Sequence, residues 1–221
     1  MNKYLELILS LPKSIYLNFR MLPFREAVRL PILVRYNTIL SNCSGKLLLF
    51  GGSRFGYVRF GFGHVGCFDK RYERSIWDVG GVLEIRGNAY IGTGSRIVVG
   101  GNGYLVLGNS FVNTAKITII CFRRIEFGDN VLTSWENLIM DTDFHRITEL
   151  EKNTDSEIEK DVIVGNHVWI GCRATLLKGT HILDNSVVAA GTVVSKKIKE
   201  ASVLLAGNPS EIKRRGITWE Q

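Results

Sequence analysis

Between residues 164 and 194 an aliphatic side chain returns at every sixth position: Val164, Ile170, Leu176, Ile182, Val188 and Val194. Four places after each of the first five stands a small or β-branched residue: Val168, Ala174, Thr180, Ser186 and Thr192. A helix repeats about every 3.6 residues and a strand every second one, so a strict six belongs to neither alone. It predicts a triangular coil. Each hexad supplies one short flat strand and one corner, the aliphatic points inward onto its counterpart in the next coil, and Gly, Asn and Asp suit the corners. Three hexads close a turn of a parallel β-solenoid. A single coil cannot bury its own face, so several must stack.

The same grid recurs upstream with more noise, at Ile85, Ile91, Ile97, Leu107 and Phe127. Residues 47–66 alternate apolar and polar positions between glycines and are expected to form the first coil, which sets the solenoid at 47–205. Residues 141–163 break the grid and hold eight acids against three bases, the pattern of a loop expelled from a corner. Residues 206–221 read as a basic tail. Residues 1–46 form an arm in which mixed three-to-four apolar spacing, broken by Pro12, Pro23 and Pro31, predicts two short helices at 2–10 and 13–20 and then an extended piece. The arm is expected to cap the open end of the solenoid. A second expectation is a peripheral membrane contact, because Lys3, Lys13, Arg20, Arg25 and Arg29 flank its aromatics.

Charge sharpens that second reading. Residues 1–74 hold 12 Lys and Arg against 4 Asp and Glu, whereas 75–221 hold 16 against 17. The basic surplus of this +7 chain therefore lies in front of the regular repeat. Such a surplus suits an anionic surface or substrate. With no helix-turn-helix, zinc-finger or RNA-binding signature, nucleic acid is not the expected partner. At 45% hydrophobic and 22% charged residues the chain can build a core, which excludes wholesale disorder. No apolar run approaches the roughly 20 residues of a membrane span, and the first residues lack a signal-peptide cleavage site. Cys43, Cys67, Cys121 and Cys172 form no CxxC pair and sit at no zinc spacing from a histidine. They are expected to be reduced thiols of a cytoplasmic protein, with no metal site.

The stretches VGNHVWIG, LLKGTHILDNSVVAAGTVVSK and LLAGNPSEIKRR resemble the hexapeptide-repeat acyltransferases. Within them they are most similar to the branch of galactoside, maltose and xenobiotic acetyltransferases and surface-polysaccharide O-acetyltransferases. The resemblance covers about residues 80–220, and FGDNVLTSWENLIMDTDFHRI resembles the catalytic coil of the polysaccharide-modifying members. It implies a left-handed β-helix and acyl transfer from acetyl-CoA to a hydroxyl or amine. It also implies a homotrimer with its active site in the cleft between neighbouring solenoids. O-acetylation of a sugar in capsule, O-antigen or exopolysaccharide synthesis is the leading expectation. N-acetylation of an amino sugar, or a noncatalytic scaffold, are the alternatives.

A thioester is already activated, so the enzyme must supply a base for the acceptor, a positioned donor and oxyanion donors. Histidine titrates near neutrality. Of His64, His145, His167 and His181, only His145 stands where the chain leaves the grid, and it matches the family's catalytic position. A base histidine needs an acceptor for its other ring N–H. Asp143, Asp141 or a backbone carbonyl could serve, and Asp143 is taken as the orienter. Trp135, Asn137 and Asp141 are expected to line the acceptor pocket, with Glu136 as a further acceptor ligand. For the donor, the resemblance assigns Trp169 to the acetyl-pantetheine arm, Cys172 beside the thioester, and Ala190 and Gly191 along the pantetheine. It sets Ser195 and Lys196 near the adenosine and phosphates, Pro209 at the nucleotide rim, and Lys213, Arg214 and Arg215 toward the phosphates. Thr114 and Phe122 stand where the galactoside branch has Asn and Asp acceptor contacts, which argues against a galactoside or maltose acceptor.

Overall fold

The computed structural model describes residues 3–69, 71–151 and 154–220; Asn2, the first residue of one expected helix, lies outside them. Three parallel sheets wrap a single apolar axis. Sheet A holds Ile32–Val34, Val58–Phe62, Ala89–Thr93, Phe111–Ala115, Leu132–Trp135, Trp169–Ile170, Val187–Val188 and Val203–Ala206, with Glu211–Arg215 added antiparallel at its end. Sheet B holds Ile39–Asn42, Ile76–Val79, Arg96–Val99, Thr118–Cys121, Leu138–Met140, Thr175–Leu176 and Val193–Val194. Sheet C holds Lys46–Leu49, Val82–Ile85, Tyr104–Leu107, Arg124–Phe127, Val162–Val164 and His181–Ile182. The chain visits A, B and C in turn, so each visit to all three is one coil of a β-helix. Val164 pairs with Ile182 and Ile170 with Val188, eighteen residues apart, which is three hexads.

The inward positions behave as the hexads require. Val164, Ile170, Leu176, Ile182, Val188 and Val194 are buried, and so are Val168, Ala174, Thr180, Ser186 and Thr192. Farther down the axis larger side chains fill a wider bore: Trp77 meets Phe60 edge-on at 5.3 Å, and Phe111 meets Phe127 at 5.0 Å. Corners are made by left-handed residues in register. Lys116 (φ 51°), Glu136 (φ 60°), Arg173 (φ 57°) and Gly191 (φ 70°) stack at the A–B corner, while Ser110, Asn130, His167, Asn185 and Ser202 stack at the C–A corner. Gly171 is required for a different reason: a Cβ there would lie 2.7 Å from the Ala190 nitrogen of the next coil.

The ends differ from the sequence expectation. The sheets begin at Ile32, not 47, because the irregular stretch 32–49 already makes a full coil. The arm is one helix, α1 (Lys3–Met21), followed by a short α2 (Phe24–Ala27). Pro12 sits inside α1 on its exposed face, where the carbonyl it leaves unbonded is open to solvent. Residues 206–221 are not a loose tail, since Glu211–Arg215 pairs with Val203–Ala206.

The polar stripe of α1 is buried. Ser14 Oγ accepts from the Val34 N–H at 3.0 Å, Ser10 Oγ accepts from the Tyr36 N–H at 3.0 Å, and the Asn18 amide donates to the Ile32 carbonyl at 2.7 Å and accepts from the Ile32 N–H. These side chains satisfy the free edge of the first sheet A strand, which would otherwise be open to another chain. The buried Arg35–Glu6 ion pair, at 2.8 Å, fastens the helix beside them.

Candidate active site

The excursion at 141–161 leaves from the corner between sheets B and C. It is a hairpin, with Thr148–Glu149 antiparallel to Thr154–Asp155. Its base is closed by the Thr142–Glu159 bridge and by backbone bonds from Asp143 N to Ile158 O and from Lys160 N to Asp141 O. Asp141 is fully buried, and its two carboxylate oxygens accept the N–H groups of Phe122 and Arg123 at 2.8 Å each. It shapes the corner and has no oxygen turned to solvent, which corrects its expected place in an acceptor pocket. It also acts on Cys121: burial first, then the Asp141 carboxylate, push that thiol far up and keep it protonated.

His145 is exposed just past this corner, and among the described residues it has no hydrogen-bond partner. Phe144, left-handed at φ 61°, fixes the chain before it by meeting Phe122 edge-on at 5.1 Å. Asp143 does not reach His145 as a hydrogen-bonded orienter. Its carboxylate pairs instead with Lys178 at 2.6 Å, and the same ammonium donates to the Glu157 carbonyl. Lys178 thereby ties both legs of the hairpin to the next coil. The sequence hid it inside an ordinary hexad, LLKGTH. Lys178→Met is expected to speed amide exchange of the hairpin by roughly tenfold or more, since charged hydrogen bonds contribute about 1.5–3 kcal/mol. Exchange mass spectrometry, with the coils as internal reference, checks this.

The residues assigned to the donor fall on other parts of the prism. Cys172, Ala190, Gly191 and Pro209 form a column at the A–B corner: Gly191 N bonds to Cys172 O at 2.9 Å, and the turn carrying Pro209 bonds to both sides of Val193. Trp169 lies on sheet A, half exposed, with its indole N–H on Ser134 Oγ at 3.2 Å. Trp219, which sequence reasoning did not single out, stacks on His167 at 4.5 Å and lies 6.1 Å from Trp169. Ser195 and Lys196 are exposed where the chain leaves sheet B, on the same edge as His145. Lys213 pairs with Glu211 and Arg215 with Glu200, both on the surface, while Arg214 is exposed and has no ion pair among the described residues.

Of the remaining acceptor candidates, Trp135 is half-buried at the end of its strand. Asn137 is buried and donates to the Gly171 carbonyl at 2.6 Å, while its Oδ1 has no partner among the described residues. Glu136 belongs to an ionic ladder up the A–B corner, between Lys116 at 3.3 Å and Arg173 at 2.9 Å. Arg173, and then Lys116, hold its carboxyl below the ordinary value. Among the described residues no three His, Cys, Asp or Glu side chains converge to hold a metal.

Within the chain, sheet B separates His145 from the Cys172 column. The sheet B strands at this level, Leu138–Met140, Thr175–Leu176 and Val193–Val194, are two or three residues long, which puts roughly 7–10 Å between those edges.

Residues 161–196 match the bacterial transferase hexapeptide (six repeats) family. The fold is a left-handed β-helix. It is 34% identical over 126 residues to the galactoside O-acetyltransferase of Escherichia coli K12, covering 57% of each chain. It is 25% identical over 136 residues to a polysialic acid O-acetyltransferase of E. coli O1:K1, covering 62% of this chain and 42% of that one. The chain thus spans about half the length of these relatives. Its fold is shared with the polysialic acid-specific acetyltransferase NeuO, at a TM-score of 0.61 and 18% identity over 85% of this chain and 74% of that one.

Proposed function

We propose that this protein is an O-acetyltransferase that moves acetyl from acetyl-CoA to a sugar hydroxyl of a surface polysaccharide or its precursor. The observation that carries this reading is His145, exposed on a braced hairpin at the edge of a hexapeptide coil. The likeness to galactoside and polysialic acid O-acetyltransferases supports the sugar acceptor. His145 takes the proton of the acceptor hydroxyl as that oxygen attacks the thioester carbonyl. It returns the proton to the departing thiolate, so one group serves as base and then as acid. Backbone N–H groups of the cleft hold the oxyanion. Trp169, Cys172, Ala190 and Gly191 bind the pantetheine arm, where the small side chains at 190 and 191 let the donor lie against the backbone. Ser195, Lys196, Pro209, Lys213 and Arg214 serve the nucleotide.

Because sheet B keeps the base and the thioester column apart in one protomer, the working site needs the B–C edge of one copy against the A–B corner of the next. Three such heterologous contacts close a ring. Mixed assemblies test this directly. His145→Ala and Cys172→Trp are each expected to be inactive alone in acceptor-dependent CoA release. Dissociated, mixed equally and reassembled, they are expected to recover roughly a quarter of wild-type activity, the share of interfaces with two intact halves. No recovery on mixing, with trimers confirmed by sedimentation, would place the whole site in one protomer and overturn the shared cleft. A panel of polysaccharide fragments supplies the acceptor, and release of the product's acetyl by hydroxylamine identifies the ester.

A further inference from the structure

Helix α1 is mounted inside out. Its polar stripe, Ser10, Ser14 and Asn18, is consumed on the edge of the first coil with Leu17 and Met21 buried beside it, and its other apolar residues face away from the protein. Tyr4, Ile8, Tyr16 and Phe24 are 78, 60, 56 and 72% exposed, and Leu5, Leu9, Ile15 and Phe19 lie between them. The ridge runs the length of α1 and continues onto α2. Contiguous apolar surface of this kind marks a contact site on a soluble domain.

The charge around the ridge selects the partner. Lys3, Arg20, Arg25 and Arg29 are exposed beside it, and among the described residues none of them has an ion pair. Of the acids in this part of the chain, Glu6 is buried on Arg35 and Glu73 is engaged by Lys116, which leaves Glu26 and Asp69. At the N-terminal end of α1 the ridge opens into a cavity of about 640 Å³ whose lining includes Lys3, Arg59, His64 and the Arg35-paired Glu6 together with aromatic rings, so the apolar face continues there. A second copy of this chain, seated on the ridge about a twofold axis, would bring these cations against their own counterparts. An anionic bilayer meets both properties at once. Its acyl boundary takes the aromatic and aliphatic ridge, and its headgroups take the cations. Neither described helix is long and apolar enough to cross a bilayer, so the contact lies in the membrane plane.

We infer that the outward face of α1 and α2 docks this protein on an anionic membrane surface. It does so through the ridge Tyr4–Ile8–Tyr16–Phe19–Phe24 flanked by Arg20 and Arg25. Docking holds the solenoid axis fixed relative to the bilayer and sets the base of the β-helix against lipid. The inference stands independently of the acyl-transfer reading.

The test is flotation of the purified full chain with vesicles of phosphatidylcholine alone and of equimolar phosphatidylcholine and phosphatidylglycerol. Co-flotation with the anionic vesicles only, weakened by salt, is the expected result. Arg20→Ala with Arg25→Ala is expected to lower the partition coefficient roughly thirtyfold, at the usual contribution of one basic residue near an anionic surface. Phe19→Asp is expected to abolish flotation. All these side chains point to solvent, so melting should match wild type, and circular dichroism confirms that each variant is folded. Absence of flotation, or equal flotation with both vesicles, overturns the inference. A folded Phe19→Asp variant that instead loses an oligomer seen for wild type would show that a second copy covers the ridge.

Discussion

Replacing His145 by Ala is expected to lower turnover by about 10²- to 10⁴-fold, the range for loss of a general base, with stability unchanged within about 0.5 kcal/mol. Both halves follow from where the residue sits. It is exposed on the hairpin and packs against nothing in the core, so its removal leaves no cavity and no orphaned partner. Its loss should therefore appear in kcat and kcat/KM together, with little change in donor affinity, because a base for the acceptor hydroxyl acts in the transition state and not on the bound donor. Stopped-flow CoA release and donor-binding calorimetry on wild type and variant measure the two quantities. An activity loss of less than tenfold would remove His145 from the chemistry. Weakened donor binding with intact turnover would assign it a binding role instead.

The regular half of the β-helix was legible because six-residue spacing is a direct imprint of coil geometry: inward aliphatics from Val164 to Val194 leave no other way to stack. The first coil was not legible. In 32–49 the strands and corners differ in length, so the residues that share an inward column have no common spacing. The arm misled for a sharper reason. Apolar residues at three-to-four spacing ordinarily mark a helix face that packs inward. In α1 the buried face mixes Glu6, Ser10, Ser14 and Asn18 with Leu17 and Met21, and what decides its orientation is the unpaired edge of Ile32–Val34, a partner that local periodicity does not contain. At the candidate site His145 stood out because it lies where the grid breaks. Asp141, close by in sequence, looked like an acceptor ligand and is a corner support, since a short polar side chain beside a corner can bond the backbone of its own or the next coil. Lys178 was hidden because its contacts run between coils, to a hairpin that had left the repeat.

The second large effect concerns the clasp between that helix and the solenoid. Arg35→Met is expected to destabilise the protein by about 3–5 kcal/mol, the usual result of removing one partner from a buried ion pair. Arg35 and Glu6 are both buried, the guanidinium donates to the Glu6 carboxylate at 2.8 Å and to Thr93 Oγ1 at 3.3 Å, and methionine would leave that carboxylate charged and enclosed. Against a total stability of about 5–15 kcal/mol such a loss is a large fraction. The structure also says how it should be relieved. Pairing Arg35→Met with Glu6→Leu removes the stranded charge and puts apolar groups of similar size in its place, and most of the lost stability is expected to return. Urea unfolding of the two single variants and the double variant measures the coupling. Recovery in the double variant would identify the stranded carboxylate as the source of the loss. A double variant as unstable as Arg35→Met would locate the contribution of Arg35 in its bond to Thr93, three coils into the solenoid, and α1 would then be held chiefly by Ser10, Ser14 and Asn18 on the strand edge.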